Sequence, residues 1–447
     1  MIKVTTSNEG LSKEIFELIR MKFPTAEFKY DLYVYLDLDN GKFEIKSDNF
    51  YEEFFVNLSD KYSIKKDIYY GLKHKFEVND KWGILTGVRP TKLGLTLFKN
   101  NSIENFREIL KNKYLLHKDS VNLIEEIVKK EYEIIYPLRD TYSIYIHIPF
   151  CPTKCSYCSF QTMIANKSIE DAYVDRLIEE IKNEKKYLNK ELKSIYIGGG
   201  TPSALSEENL YKLISFIDKN FNSRDEFTVE CGRVDTITKD KLKILKSFGV
   251  NRVSVNPQTF NENTLSLINR RTNLGNFFEI YELVDSFNFK SINMDLILGL
   301  SGETLDDVKK SLAEAVKLNP KNITVHTLSL KNGSNMFIEN KKHSSTINDM
   351  IFFSKNYLKS KGYSPYYMYR QKRMAGNGEN IGYGKNDFCY YNIMMMEEKE
   401  TIIGFGLGSS SKFFNRDTER VDLVMNTKNL KDYLNGNINR KLKYYEV

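Results

Sequence analysis

Three of the chain's five cysteines, Cys151, Cys155 and Cys158, fall within eight positions of the stretch "YIHIPFCPTKCSYCSF" (145–160). Three residues separate the first pair and two the second. An odd number of cysteines, most of them clustered, argues against a disulfide framework and for a metal or redox centre. Structural zinc takes four ligands, usually from two separated pairs. Here His147 is the nominal fourth, but it falls on a predicted strand, and the chain has no second CxxC and no HxxxH. A redox CxxC would leave Cys151 without a role. An iron–sulfur cubane accounts for all three, because a compact loop can bring three thiolates to three irons. The fourth iron is then open to a chelating substrate. Cys231 and Cys389 stand alone and read as small buried apolar residues.

The elements around this loop follow from periodicity. From 141 onward, strands are predicted at "YSIYIHIPF", "SIYIGGG", "FTVECG", "RVSVNPQ", "INMDLILGL" and "NITVHTLSL". Amphipathic helices are predicted between them over 168–187, 206–219, 238–247, 261–287 (in two pieces) and 303–317. Such alternation implies parallel strands with right-handed crossovers. Six units are too few for a complete eight-unit barrel, and an open partial barrel and a doubly wound sheet both fit the pattern. The unusual residues decide between them. Cys151 follows the first strand and Gly198-Gly199-Gly200-Thr201-Pro202 the second. Glu230 ends the third, Asn256 and Gln258 end the fourth, and Asp295 lies in the fifth. Polar groups gathered at C-terminal strand ends are the active face of a β/α barrel, so the reading is α/β with a partial (β/α)6 barrel over 141–335.

Residues 1–140 read as a small α+β domain. The alternating "EFKYDLYVYLDLDNGKFEIK", with its Asp-Asn-Gly turn, predicts a hairpin, and 102–136 is largely helical. Trp82 and Arg89 there are expected to be structural. Residues 336–447 form a mixed C-terminal domain on the substrate side, with a helix over 345–361 and the strand-like "ETIIGFGLG". Tyr366, Tyr367 and Tyr369, interleaved with Arg370, Lys372 and Arg373, are expected to supply one wall of a basic, aromatic cavity.

A length of 447 residues points to two or three domains. The net charge of +7 is modest, and no block of like charges suggests a nucleic-acid partner. No segment reads as a secretory signal or a membrane span, which implies a cytoplasmic protein.

The CxxxCxxC loop after a first strand, with Tyr157 before the third cysteine and "GGG" after the second strand, resembles the radical S-adenosylmethionine (SAM) superfamily. The resemblance implies a [4Fe–4S] cluster on Cys151, Cys155 and Cys158, whose free iron chelates SAM. Reduction, by a donor such as flavodoxin or ferredoxin, then cleaves SAM to a 5′-deoxyadenosyl radical that abstracts a substrate hydrogen. "YIHIPFC", "YIGGGTPSAL", "GVNRVSVNPQTFNENTL" and "INMDLILGL" are similar to the oxygen-independent coproporphyrinogen III oxidase-like proteins. By position, this implies SAM contacts from Tyr145, Gly199, Gly200, Thr201, Glu230, Gln258, Arg270 and Asp295, and catalytic roles for Tyr145 and His147. It also implies an anionic tetrapyrrole substrate and a place in porphyrin (haem) biosynthesis. In the oxidases the third cysteine is followed by Gly-Cys, where Ser159 and Phe160 stand here. The haem chaperones carry a C-terminal His-Asn pair, whereas this chain has no histidine after His343. "GVRPTKL" and "PYYMYRQKRMAGNGEN" resemble a third branch, the coproporphyrinogen dehydrogenases. The implied reaction is oxidative decarboxylation of coproporphyrinogen III; the other readings are a haem-transfer protein and a radical SAM enzyme acting on another tetrapyrrole or on RNA.

Anaerobically purified protein is expected to be brown, with about four irons and four sulfides per chain. Replacing Cys151, Cys155 or Cys158 by Ser should abolish the colour, and Cys231→Ser or Cys389→Ser should keep it. Stoichiometric zinc in colourless protein would exclude the cluster.

Overall fold

The computed structural model describes residues 2–23, 31–76, 78, 81–221, 224–270, 272–329, 344–371, 374, 376, 378–436 and 444. The chain divides into two compact units, Met1–Tyr132 with Arg370–Arg373 and Glu133–Tyr369 with Met374–Val447.

In the first unit, β1 (Ile2–Thr5), β2 (Leu32–Leu36), β3 (Lys42–Ser47) and β4 (Phe50–Phe55) form one sheet in that order. β2 and β3 are the predicted hairpin, with Leu36 opposite Phe43. Alternation sends Leu32, Val34, Leu36, Phe43 and Ile45 into the core and leaves Tyr33 and Tyr35 exposed. Helices α1 (Glu9–Lys22) and α2 (Lys61–Leu72) cover the apolar face with Ile15, Leu18, Ile19, Ile64 and Ile68. Asn8 and Asp60 cap them by accepting from amides of the first turn. Beyond α3 (Pro90–Asn100), the helical stretch expected over 102–136 is α4 (Ile103–Glu108), one π turn and α5 (Lys118–Ile135). Trp82 is fully buried, with the Arg370 guanidinium 5.0 Å from its ring centroid. Arg370 also donates to the Leu85 carbonyl (3.3 Å). Trp82 is thus structural, and Arg370 is committed to it; Lys372 and Arg373 lie outside the described residues.

The second unit is built on β5 (Thr141–Ile148), β6 (Glu191–Gly199), β7 (Glu226–Glu230), β8 (Arg252–Ser254), β9 (Ser291–Leu298) and β10 (Asn322–Thr327), each paired in parallel with the next. The connecting helices are α6 (Lys167–Lys185), α7 (Glu207–Asn220), α8 (Lys239–Ser247), α9 (Glu262–Leu267), α10 (Leu274–Ser286) and α11 (Leu305–Lys317). These are the six expected units. β8 stops at Ser254, short of Asn256 and Gln258. Pro257 has no amide to donate, and Gln258 turns to a left-handed φ of 67°.

After α12 (Ser344–Ser360), the C-terminal residues extend both edges. β11 (Ser364–Tyr369) and β12 (Asn380–Gly384) add antiparallel strands beside β10. After α13 (Tyr390–Glu397), β13 (Thr401–Phe405) joins β5 as a seventh parallel strand. β14 (Ser410–Asn415) and β15 (Arg420–Met425) follow it antiparallel, before α14 (Leu430–Leu434). The sheet runs from β11 to β15 and does not close on itself.

At the N-terminal strand ends, α13 forms a floor. Glu226, the first residue of β7, accepts from the amides of Tyr390 (2.8 Å) and Tyr391 (3.1 Å) and from the Cys389 thiol (3.3 Å). Arg252 lies 3.6 Å from Glu226 and donates to both oxygens of Asp387 (3.0 and 2.9 Å). Ser291 adds a bond to Asp387 (2.7 Å). These groups are largely buried, so removing one partner leaves an uncompensated charge. Asp387→Ala is expected to destabilise the chain by about 3–5 kcal/mol in urea unfolding, the cost of breaking such a pair. A loss below about 1 kcal/mol would show Arg252 to be solvated.

Candidate active site

The cysteine loop is held by its own backbone. Cys151 N–H donates to the Met163 carbonyl (3.1 Å) and Met163 N–H to that of Pro149 (2.8 Å). Ser156 N–H bonds the Ile268 carbonyl (3.2 Å), and the Asn269 side chain donates to that of Lys154 (2.8 Å). Arg233 donates to the Thr153 hydroxyl (2.7 Å) and lies 3.8 Å from the Cys155 sulfur. The Arg270 guanidinium also lies beside Cys155, so two cations attend this thiol. All three cysteines are free. Among the described residues no three ligating side chains converge as one ion would require. A cubane asks for something else, since each of its irons takes one thiolate.

Facing the loop, the end of β6 brings bare backbone. Gly199 has φ +110°, and a Cβ there would run into the His147 imidazole. A Cβ on Gly200 would lie 2.5 Å from the Phe150 carbonyl oxygen. The Thr201 amide bonds that carbonyl (2.8 Å), and its hydroxyl is 3.4 Å from the Cys151 sulfur. Strand β6 and the cysteine loop are therefore locked together in a cradle that only glycine allows.

Two buried carboxylates lie on the same face. Glu230 ends β7 and accepts from Tyr196 (2.5 Å). Burial, reinforced by the nearby Asp295 charge, raises it to about 7 despite that bond. Burial also works to raise Asp295, but His326 (Nε2 at 3.7 Å) and the Asn293 amide (2.8 Å) outweigh it and hold Asp295 below the ordinary carboxylate value. Asn256 bonds Asp295 twice, through its side-chain amide (2.8 Å) and by accepting the Asp295 N–H (3.1 Å). The two acids are thus set to different protonation states.

Gln258 is held left-handed by backbone bonds to the Asp295 carbonyl and from the Ile297 amide, both 2.9 Å. The residue is largely buried, and its side-chain amide makes no hydrogen bond among the described residues. Arg270 donates to the carbonyls of Asn256 and Gly232, and its buried Nε has no partner among the described residues. Tyr145 and His147 alternate onto the same face of β5, with the tyrosine oxygen 3.1 Å from His147 Nδ1. Burial pushes His147 down to about 4, so it is neutral near pH 7. Open donors, bare backbone and three thiols on one rim fit a cluster with an amino-acid-like ligand.

The three cysteines, Gly199, Gly200, Thr201, Glu230, Gln258 and Arg270 follow or end their strands at this rim, Tyr145, His147 and Asp295 lie within β5 and β9, and Arg370, expected in the cavity wall, belongs to the first unit. Arg233 and His326 were not singled out in the sequence, although both sit at a C-terminal strand end, the position that marked Glu230. Tyr196 and Asn293 carry only ordinary strand alternation as a signal.

Because Glu230 is raised to about 7, the folded chain binds its proton more tightly than the unfolded chain, where the ordinary value is 4.5. The stability this contributes is complete below pH 4.5 and is lost as pH rises through 7. Glu230→Gln is therefore expected to unfold like the parent at pH 4.5 and to exceed it at pH 8 by roughly 3 kcal/mol at most. A difference independent of pH would show that Glu230 does not titrate in this range.

Residues 145–315 match the Radical SAM superfamily. The chain is 39% identical over 390 residues to the oxygen-independent coproporphyrinogen-III oxidase-like protein HemZ of Bacillus subtilis, covering 83% of this chain and 78% of that protein. It is 31% identical over 302 residues to the haem chaperone HemW of Buchnera aphidicola, covering 66% of this chain and 76% of that one. Among solved structures, Escherichia coli coproporphyrinogen III oxidase (HemN) shares the fold, with a TM-score of 0.56 at 22% identity over 68% of this chain and 71% of that chain. Radical SAM proteins bind a [4Fe–4S] cluster and SAM, the pair of groups for which this rim has thiols and open donors. The chain belongs to the radical SAM superfamily and, within it, to the oxygen-independent coproporphyrinogen III oxidase-like family, alongside HemZ.

Proposed function

We propose that this chain is a radical SAM oxidoreductase that converts two propionates of coproporphyrinogen III to vinyls, giving protoporphyrinogen IX. The observation that carries the choice of an enzyme over a haem carrier is the absence of histidine after His343. Beyond His343 the C-terminal region thus offers no imidazole to a haem iron, and the neutral His147 is already bonded to Tyr145. When bound, the cluster and SAM would supply one carbon radical for each propionate side chain, and each radical would remove one hydrogen atom. Each side chain must then lose carbon dioxide and pass one electron to an acceptor.

In this reading Cys151, Cys155 and Cys158 hold the cluster, and Gly199, Gly200 and Thr201 admit the methionine end of SAM. Arg270 and Gln258 turn their open donors to its polar groups. Glu230 and Asp295 accept from the ribose hydroxyls or the amino group. Tyr145 and His147 present a neutral hydrogen-bonding pair to a propionate. Phe160 and Ile164, close along the chain to Cys158, are exposed, and Lys154 makes no ion pair among the described residues. Such a face suits an acidic electron carrier such as flavodoxin or ferredoxin.

The second reading is haem transfer, which the likeness to HemW favours. Reconstituted protein incubated anaerobically with coproporphyrinogen III, SAM, a reductant and an electron acceptor is expected to yield a divinyl product by mass spectrometry. Cys155→Ser should yield none. Stoichiometric haem binding without decarboxylated product would select the carrier.

A further inference from the structure

Tyr391 enters the barrel from α13, outside the six β/α units. Its amide is fixed to Glu226 at the floor (3.1 Å), yet its ring lies one layer higher, against Tyr145 and Tyr196. Those two are register partners on β5 and β6. The three rings form a triangle, with centroids 4.5 Å apart for Tyr196–Tyr391, 6.1 Å for Tyr145–Tyr391 and 6.4 Å for Tyr145–Tyr196. Their interplanar angles are 23°, 18° and 30°, so all three lie near parallel. From this layer two hydroxyls reach the rim: that of Tyr196 bonds Glu230 (2.5 Å), and that of Tyr145 meets His147 (3.1 Å). The Tyr391 hydroxyl has no bond partner among the described residues, so its contribution comes from the ring.

We propose that Tyr391 is a positioning residue of the cofactor site, its ring holding Tyr196 and Tyr145 where they orient Glu230 and His147. The floor helix is clamped to the strand starts by Glu226, Arg252 and Asp387, so the ring is held from a rigid base. The backbone reaches only the lower layer, and the ring spans the gap. Removing the ring leaves one face of Tyr196 unsupported and frees the phenol to leave Glu230. This inference rests on the reading of Glu230 as a SAM contact.

The test is SAM affinity, measured by calorimetry on the reconstituted full chain. Tyr391→Phe keeps the ring and is expected to bind within about twofold of the parent, whereas Tyr391→Leu should weaken binding about tenfold, the scale of one lost polar contact. Tyr196→Phe should weaken it too, and the double variant Tyr391→Leu/Tyr196→Phe should be no weaker than the worse single variant, because both act on Glu230. Ile393→Val, also buried on α13, serves as the control for plain loss of packing, with a lower unfolding midpoint and unchanged affinity. If Tyr391→Leu does not fold, Tyr391→Met, which also lacks a ring, takes its place under the same criteria. Parent-like affinity in the ring-deleted variant, or equal losses in Tyr391→Phe and Tyr391→Leu, would overturn the proposal. Glu230→Ala separates the two failures. If it binds SAM like the parent, the site reading fails and the proposal with it. If it binds weakly while Tyr391→Leu does not, the site stands and only the proposal falls.

Discussion

The arrangement depends on how one buried carboxylate is satisfied. Glu226 opens β7, is largely buried, and accepts two backbone amides and a thiol from the start of α13. A helix begins with amides that have no partner within it, and a buried acid needs donors, so each solves the other's problem. The pairing fixes α13 beneath the sheet, and Arg252 and Asp387 complete the charge balance. With the floor set, the inward residues of β5 to β10 can be polar without facing bulk water.

The same low dielectric gives the rim its chemistry. Glu230 on β7 and Asp295 on β9, with β8 between them, are both buried carboxyls, yet one is raised and the other lowered. The difference lies in how far partners offset burial: His326, Asn293 and Asn256 outweigh it at Asp295, whereas at Glu230 the Tyr196 phenol and the Gly199 backbone do not, and the Asp295 charge adds to it. A ligand meeting this pair finds one acceptor that stays charged and another that titrates close to neutrality.

Much of this was legible in the sequence, because local rules carried it. Cysteine spacing, the glycine run and the alternation of strands with helices each act over a few residues, so the six units and the rim residues could be read directly. The end of β8 could not, since Val255 still pairs with Asn293 before Pro257 and the left-handed Gln258 break the strand. Nor could the seventh strand. "ETIIGFGLG" reads as a strand, but nothing local says that it lies beside β5. Tyr391 was the least visible, a tyrosine in a short apolar helix whose importance comes entirely from Tyr145 and Tyr196, about two hundred positions or more away in the sequence.

The pairing of β13 with β5 also sets an order of events during synthesis. Glu400, just before β13, accepts from the hydroxyls of Thr141 and Ser143 on β5, at separations of 259 and 257 residues. The strand leading into the cysteine loop therefore lacks one neighbour until nearly the whole chain has left the ribosome. Contacts this distant form late and slowly. Until β13 arrives, β5 leads into the cysteine loop as an edge strand with unpaired backbone groups.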